Sequence, residues 1–475
     1  MELMDLTAAE LVRLLGMREV SSRELTEAHL ARIEERNPAI NAIVTIDAEA
    51  ALAAAGKADE AAARGGSLGP LHGLPMTHKD THMVAGMRST NGSPVFADHV
   101  PAKDDLIIAR LRAAGVVPTG KSNVPEFGAG SHTFNEVFGT TTNPYAPTLS
   151  AGGSSGGVSA AVAARIQPLG DGSDMGGSLR IPASFCNVVG FRPSLGVIPM
   201  PSPVNAWAWI VRTGPIARTV EDIGLFMSAV AGPSEELQLQ APAQATDFTR
   251  QTHADLRGVR VGFTRDFGLG VPVEQEVLDV FDAQLAVFES LGAVVEEATI
   301  DFREADRVFG NTRALEFAGG IGPVVEQHRE LVKPEVIWNV EKGWALDVRE
   351  ILATRAAGTR LQQAVRRYFQ NYDLLISPTA QVLPFDAALR YPQSIRGVAS
   401  ETYLDWMRSA CLLSATGLPA ISMPAGFSAG LPVGIQIAAN HHRDPQLLRW
   451  AACYEAATNH AQIPPAAILQ RVPTN

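Results

Sequence analysis

The sequence predicts an α/β protein in which a sheet is covered by helices. Three observations lead there. Segments with helical periodicity alternate with short apolar runs along most of the 475 residues. Runs such as "YDLLISPTA" have the length and continuity of buried strands. The composition, 46% hydrophobic and 19% charged, is that of a packed globular chain rather than a disordered one.

Residues 6–36 read as two amphipathic helices, and Ser21 and Glu24 have capping-box spacing before the second, which Asn37-Pro38 should end. "AEAALAAAGKADEAAARG" continues as an alanine-rich helix. "LHGLPMTHKD" reads as a strand entered through Gly73, with Lys79 near its end. "IIARLRAAGVVPTGKSN" is helix, turn and strand, and "SSGGVSAAVAARI" is a helix opening on a glycine-serine loop. Residues 200–215 form a loop rich in proline and tryptophan, and "TVEDIGLFMSAVAG" a helix. A polar stretch at 232–256 reads as a surface crossing. A β-α-β unit follows from "GVRVGFTRDFG" to "VVEEAT", two helical segments cover 303–372, and "LPAISMPAGF" and "LPVGIQIAA" supply two late strands. Length alone allows two or three domains, but α/β enzymes of this size often form one.

Several function classes are disfavoured. A net charge of -11 argues against a general binder of nucleic acid or anionic membrane. The N-terminus has neither the basic nor the apolar region of a signal peptide, and no apolar run reaches membrane-spanning length. Cys186, Cys411 and Cys453 are far apart and odd in number, so they read as buried, inert thiols of a cytoplasmic protein.

Among formal motifs, Gly152-Gly153-Ser154-Ser155-Gly156 fits G-x-S-x-G, but no later histidine lies in a fitting loop motif. No P-loop and no S-x-x-K occurs. His78 and His82 in "HKDTH" lack the glutamate of a zinc-binding helix, and they and His441-His442 read as ordinary polar contacts. Lysine is scarce: 39 basic residues include only Lys57, Lys79, Lys103, Lys121, Lys333 and Lys342. Arginine serves for surface charge but cannot act as a base, so Lys79 on a buried strand is a candidate base. Burial among neutral hydroxyls would lower its pKa, and strand alternation turns Asp80 away from it. Two Gly-Gly-Ser elements, 24 positions apart, end on Ser154 and Ser178. Glycines before Ser178 let successive N–H groups converge on one point, as an acyl-transfer site needs, while Ser154 would bring a second hydroxyl between lysine and nucleophile. A structural lysine and two helix-capping loops account for the same residues without chemistry.

Taken together, "GLPMTHKD", "AGGSSGG" and "SDMGGSLRIPA" resemble the amidase signature family. "TGKSNVPEF", "FGTTTNPY", "FCNVVGFRPSLGVIP", "GPIARTVEDI" and "GLPVGIQIAA" extend the resemblance to about residue 460. It implies a single domain over 1–475 with a central mixed β-sheet surrounded by helices, those of about 1–65 packed on the core, and no metal or organic cofactor. It also implies a Ser-cisSer-Lys triad. Lys79 would be the base and Ser154, after a cis peptide bond, the relay. Ser178 would be the nucleophile, with the backbone N–H groups of Met175, Gly176, Gly177 and Ser178 around the oxyanion. Ser155, Ser173, Asp174 and Arg180 would support them. Met175 and Ala151 depart from the residues most frequent there, Thr or Ile and Pro, and the Met175 side chain would narrow the pocket.

The expected activity is hydrolysis of small aryl or aliphatic amides, with esters and carbamates as further substrates, through an acyl-enzyme on Ser178. Trp207 and Trp209 are the candidate pocket residues for an apolar or aromatic group. Expected partners are the small-molecule substrate and, as an admitted assembly, a second copy in a homodimer, without nucleic acid or membrane. The alternative is the glutamine-hydrolysing A subunit of a tRNA-dependent amidotransferase. Against it, the usual Gly-Tyr-Tyr-rich insertion is missing, and Ser428-Ala429 stand where an acid often occurs.

Overall fold

The structure, a computed structural model, describes residues 2–237, 239, 248–249 and 255–469. Most of the polar stretch 232–256 lies outside the described residues. Two sheets organise the chain. The larger has eight strands in the order Val294–Glu297, Arg260–Phe263, Leu374–Pro378, Leu431–Ala439, Ala420–Ser428, Val189–Arg192, Arg212–Ala217, Leu169–Asp174. The first three are parallel and every other pairing is antiparallel, so the sheet is mixed. The smaller sheet places Val117–Ser122 between Ile43–Ile46 and Pro75–Lys79.

The central strands of the large sheet are buried on both faces, which explains apolar runs such as Leu374–Pro378, whereas the edge strand Val294–Glu297 is mostly exposed. Successive residues of Leu374–Pro378 divide between two cores: Leu374 and Ile376 with Phe281, Phe288 and Tyr454, and Leu375 with Phe185, Leu361 and Trp406. Helices Gln275–Ser290 and Asp444–Thr458 cover the first face, and Arg180–Phe185, Val348–Tyr368 and Arg408–Ala415 the second. At the N-terminus, the Asp222 carboxylate accepts from the N–H groups of Ala8 (3.1 Å) and Ala9 (3.0 Å), tying the first helix to the core.

Three local expectations are corrected. The second helix runs Ser22–Ile40, with the Ser21–Glu24 capping box in place, and passes through Pro38. Pro38 gives up one N–H bond of the helix, a cost offset by the turn that follows it, where Asn41 N–H donates to Asn37 O (2.8 Å) in the left-handed conformation and Ile40 is buried. Residues 303–372 hold four α-helices, Ala305–Gly320, Gly322–His328, Pro334–Trp344 and Val348–Tyr368, in place of two segments. Pro323 stands in the first turn of the second of these, Pro334 opens the third and Asp347 caps the fourth. The tryptophan loop ends earlier than expected, at strand Arg212–Ala217, which is ordered by pairing with Leu169–Asp174.

Candidate active site

The smaller sheet meets the edge strand Leu169–Asp174 of the larger one. Lys79 closes strand Pro75–Lys79, and its N–H donates to Asp171 Oδ2 (3.2 Å) across that junction. Its side chain is fully buried. The Nζ lies 2.8 Å from Ser154 Oγ, 2.9 Å from Ser155 Oγ and 3.0 Å from Ser173 Oγ. A neutral amine has one lone pair and two N–H groups, so three hydroxyls satisfy it completely. Burial pushes the amine down to about 7, against the opposing pull of the Asp174 and Asp171 carboxylates. Asp80 faces away, accepting from Thr90 N–H and lying 3.9 Å from Lys121 Nζ.

The two glycine-serine loops touch each other. Ser155 N–H donates to Ser178 O (3.1 Å), and the Gly153–Ser154 peptide is cis. Gly152 has φ +74°, and a Cβ there would lie 2.8 Å from Pro182 Cα, so only glycine fits where the first loop crosses the helix after the second. Ser155 stands at the N-terminus of helix Gly156–Ala163 without capping it through its side chain; its hydroxyl serves Lys79 and Ser173 O (3.3 Å) instead. Buried thiols back both loops: Cys186 Sγ donates to Ala151 O and Cys411 Sγ to Gly176 O. Cys453 is only half-buried, a correction to the expectation of three buried thiols: on helix Asp444–Thr458 it packs at the margin of the core, beside the buried Ala451 and Tyr454.

Ser178 follows the edge strand and is 6% exposed. Its hydroxyl has no hydrogen-bond partner among the described residues. One of the four expected oxyanion donors is already engaged: Gly177 N–H donates to Asp174 Oδ1 (2.8 Å). Met175, Gly176 and Ser178 have N–H groups without a partner among the described residues. Asp174 also accepts from Leu179 N–H (3.2 Å), from Arg180 Nε (3.0 Å) and from Arg192 Nη1 (3.2 Å). Burial works to raise the Asp174 carboxyl, but the Arg180 and Arg192 guanidiniums prevail and hold it well below the usual carboxylate range. Arg180 is held in turn by Gln436 Oε1 and Ser414 Oγ, both at 2.6 Å.

Sequence reasoning missed Asp171, Arg192 and Gln436, which support the site from behind. Arg192 and Gln436 stand inside "GFRPS" and "GIQIAA", so the signal was a charged or amide residue within an otherwise buried strand. The Asp171 oxygens lie 2.7 Å from His78 Nδ1 and 2.5 Å from His82 Nδ1, which are the polar contacts expected of "HKDTH". No group of three or more His, Cys, Asp or Glu among the described residues is arranged to hold a metal ion.

Helix Ala305–Gly320 covers the nucleophile segment. A Cβ on Gly176 would meet the Phe309 ring at 2.6 Å, so that ring lies flush on the backbone. Met175 packs with Phe127, Ala129 and Phe317, and its Sδ is 3.0 Å from Arg313 Nη1. Gly128 brings the loop at 126–130 over Ser154: a Cβ there would be 3.4 Å from Ser154 Oγ. The tryptophans lie differently from expectation. Trp207 is 64% exposed, because Asn205 ties its loop to Glu316 (2.7 Å) with the ring in solvent. Trp209 is half-buried near Gly417. Phe309 is the aromatic ring that rests on the nucleophile segment.

A sequence model of the Amidase family matches residues 24–448. The chain is 37% identical over 479 residues to an acylamidase of Rhodococcus erythropolis, covering 97% of each chain. It is 35% identical to the A subunit of the Glutamyl-tRNA(Gln) amidotransferase of Moorella thermoacetica, covering 97% of this chain and 98% of that one. The solved structure of a bacterial aryl acylamidase superposes with a TM-score of 0.91 at 29% identity, over 97% of this chain and 98% of the other. With the family model spanning most of its length and close relatives end to end, the chain belongs to the amidase signature family and is an amide-hydrolysing enzyme.

Proposed function

We propose that the chain acts alone as a hydrolase of small aryl or aliphatic amides, and also of esters and carbamates, through an acyl-enzyme on Ser178. The observation that carries this is the fully buried Lys79 amine, enclosed by three hydroxyls and pushed down to about 7. Such an amine is a base at neutral pH. In the reaction, Ser178 Oγ attacks the carbonyl carbon, Ser154 takes the Ser178 proton, and the Ser154 proton passes to Lys79. N–H groups of Met175, Gly176 and Ser178 receive the oxyanion. Collapse breaks the C–N bond while the proton returns through Ser154 to the leaving amine. Water then attacks the ester, its proton taking the same path, and Ser178 is restored.

Substrate class is inferred from the apolar and aromatic cover over the nucleophile, Phe309 foremost, and from likeness to an acylamidase. The buried thiols of Cys186 and Cys411 fit a reducing, cytoplasmic setting. The near-equal likeness to the A subunit of an amidotransferase favours a second reading, glutamine hydrolysis within a complex. The purified chain should release nitroaniline from an aryl anilide without any added protein. Turnover of glutamine alone, and only with partner proteins supplied, supports the second reading and refutes the first.

A further inference from the structure

Among the described residues, every buried guanidinium but one has a carboxylate or a backbone carbonyl as partner. Arg180 and Arg192 share Asp174. Arg212 and Arg218 lack a carboxylate among the described residues but donate to backbone carbonyls, of Trp209 and Val211 and of Leu6 and Gln167. Arg313 has neither. It is 3% exposed and projects from helix Ala305–Gly320 one turn after Phe309. Its Nε lies 3.2 Å from both Asn339 Oδ1 and Tyr403 Oη, and its Nη2 is 2.7 Å from Tyr403 Oη. Its Nη1 is directed at the thioether of Met175, three residues before Ser178.

None of these groups carries a negative charge. Burial raises the Tyr403 hydroxyl above its ordinary value, so it remains a neutral phenol. The guanidinium also stands over the Phe317 ring at 4.3 Å, an attraction that supports a cation but does not neutralise it. Thioether sulfur is a weak acceptor. A desolvated cation held only by neutral groups is costly, and it is the arrangement that an incoming anion relieves. A second cation, Lys333, stands nearby with its Nζ on Ala129 O at 2.6 Å, and Ala129 packs in the same cluster as Met175; Lys333 feels the Glu335 and Glu126 carboxylates, so the uncompensated charge of this region is that of Arg313.

We propose that Arg313 is a specificity-determining residue that receives a carboxylate borne by the amide substrate. Its Nη1 exchanges the Met175 sulfur for a carboxylate oxygen, and Tyr403 and Asn339 hold the guanidinium plane in place. The assignment rests on the hydrolase reading above and names its substrate class: amides with a carboxylate a few bonds from the scissile bond.

Matched ligand pairs test it: glutaric acid monoanilide against pentananilide for a carboxylate on the acyl side, and para-acetamidobenzoate against para-methylacetanilide for one on the amine side. Binding is measured by calorimetry on Ser178→Ala and turnover on the unsubstituted enzyme. In at least one pair the charged member should bind on the order of 10- to 100-fold more tightly, as a charge-assisted hydrogen bond gives. Adding Arg313→Gln should bring that ratio close to one, while Arg313→Lys should retain part of it. Equal or weaker binding of both charged members overturns the assignment, with no variant needed. So does a preference that survives Arg313→Gln. Charged-ligand preference without turnover of any of the four would sink the hydrolase reading and leave the anion site standing.

Discussion

Lys79 makes the reaction a titration. A lysine in water is neutral in only about one molecule in a few thousand at pH 7. Here burial, opposed by Asp174 and Asp171, leaves the amine at about 7. The neutral form is the base, so activity should rise with pH. The active fraction is about one-hundredth at pH 5, one-tenth at pH 6, one-half at pH 7 and nine-tenths at pH 8. The acylation rate, followed by stopped flow with a nitroanilide, should therefore climb tenfold per pH unit below about 6 and level above about 8. Lys79→Ala should cost about 10²- to 10⁴-fold at neutral pH and remove this limb, leaving only the dependence on hydroxide. A flat profile in the unsubstituted enzyme between pH 5 and 8, or an unchanged limb in Lys79→Ala, refutes the claim that this amine is the base.

A fluorophosphonate should label the peptide bearing Ser178 and no other; mass spectrometry showing label on Ser154 would reverse the two serine roles. Gly176→Ala would place a methyl 2.6 Å from the Phe309 ring and 3.0 Å from Cys411 Sγ, displacing an oxyanion donor. It should lose about 1–3 kcal/mol of stability and most of kcat, read by denaturant melting and kinetics, and Phe309→Leu should recover part of both. Arg180→Met leaves Asp174 with one guanidinium in place of two, and should cost about 3–5 kcal/mol in urea unfolding. An unfolding midpoint unchanged from the parent would mean that Arg192 alone compensates Asp174.

The legibility of this chain follows the range of the interactions involved. Ser21–Glu24 was readable because a capping box closes within three residues. Asn37-Pro38 misled because burial of Ile40, a tertiary effect, extends the helix past the proline. The junctions within 303–372 carried local signals, Pro334 and the Asp347 cap, which helical periodicity alone masked. Strand Arg212–Ala217 was hidden in a proline-rich stretch because its order comes from pairing with a strand some forty residues earlier in the chain. At the site, nothing in the order of residues 174–178 told that the Asp174 carboxylate would turn back to accept from Gly177 N–H, a contact set by the folded path of the loop.

The amino-acid sequence by itself determined which residue types could do chemistry: a lysine at the end of a buried strand and two serines released by glycine. It also determined the α/β class, since strand and helix periods are local properties of side-chain order. Only the tertiary structure decided that three hydroxyls close around one amine, that Asp174 is held by two arginines, and that Arg313 meets no carboxylate among the described residues. The physical reason is that desolvation and charge pairing depend on what surrounds a group in space. Neighbours brought together from positions 79, 154, 173 and 178 have no signature in the spacing of any one segment.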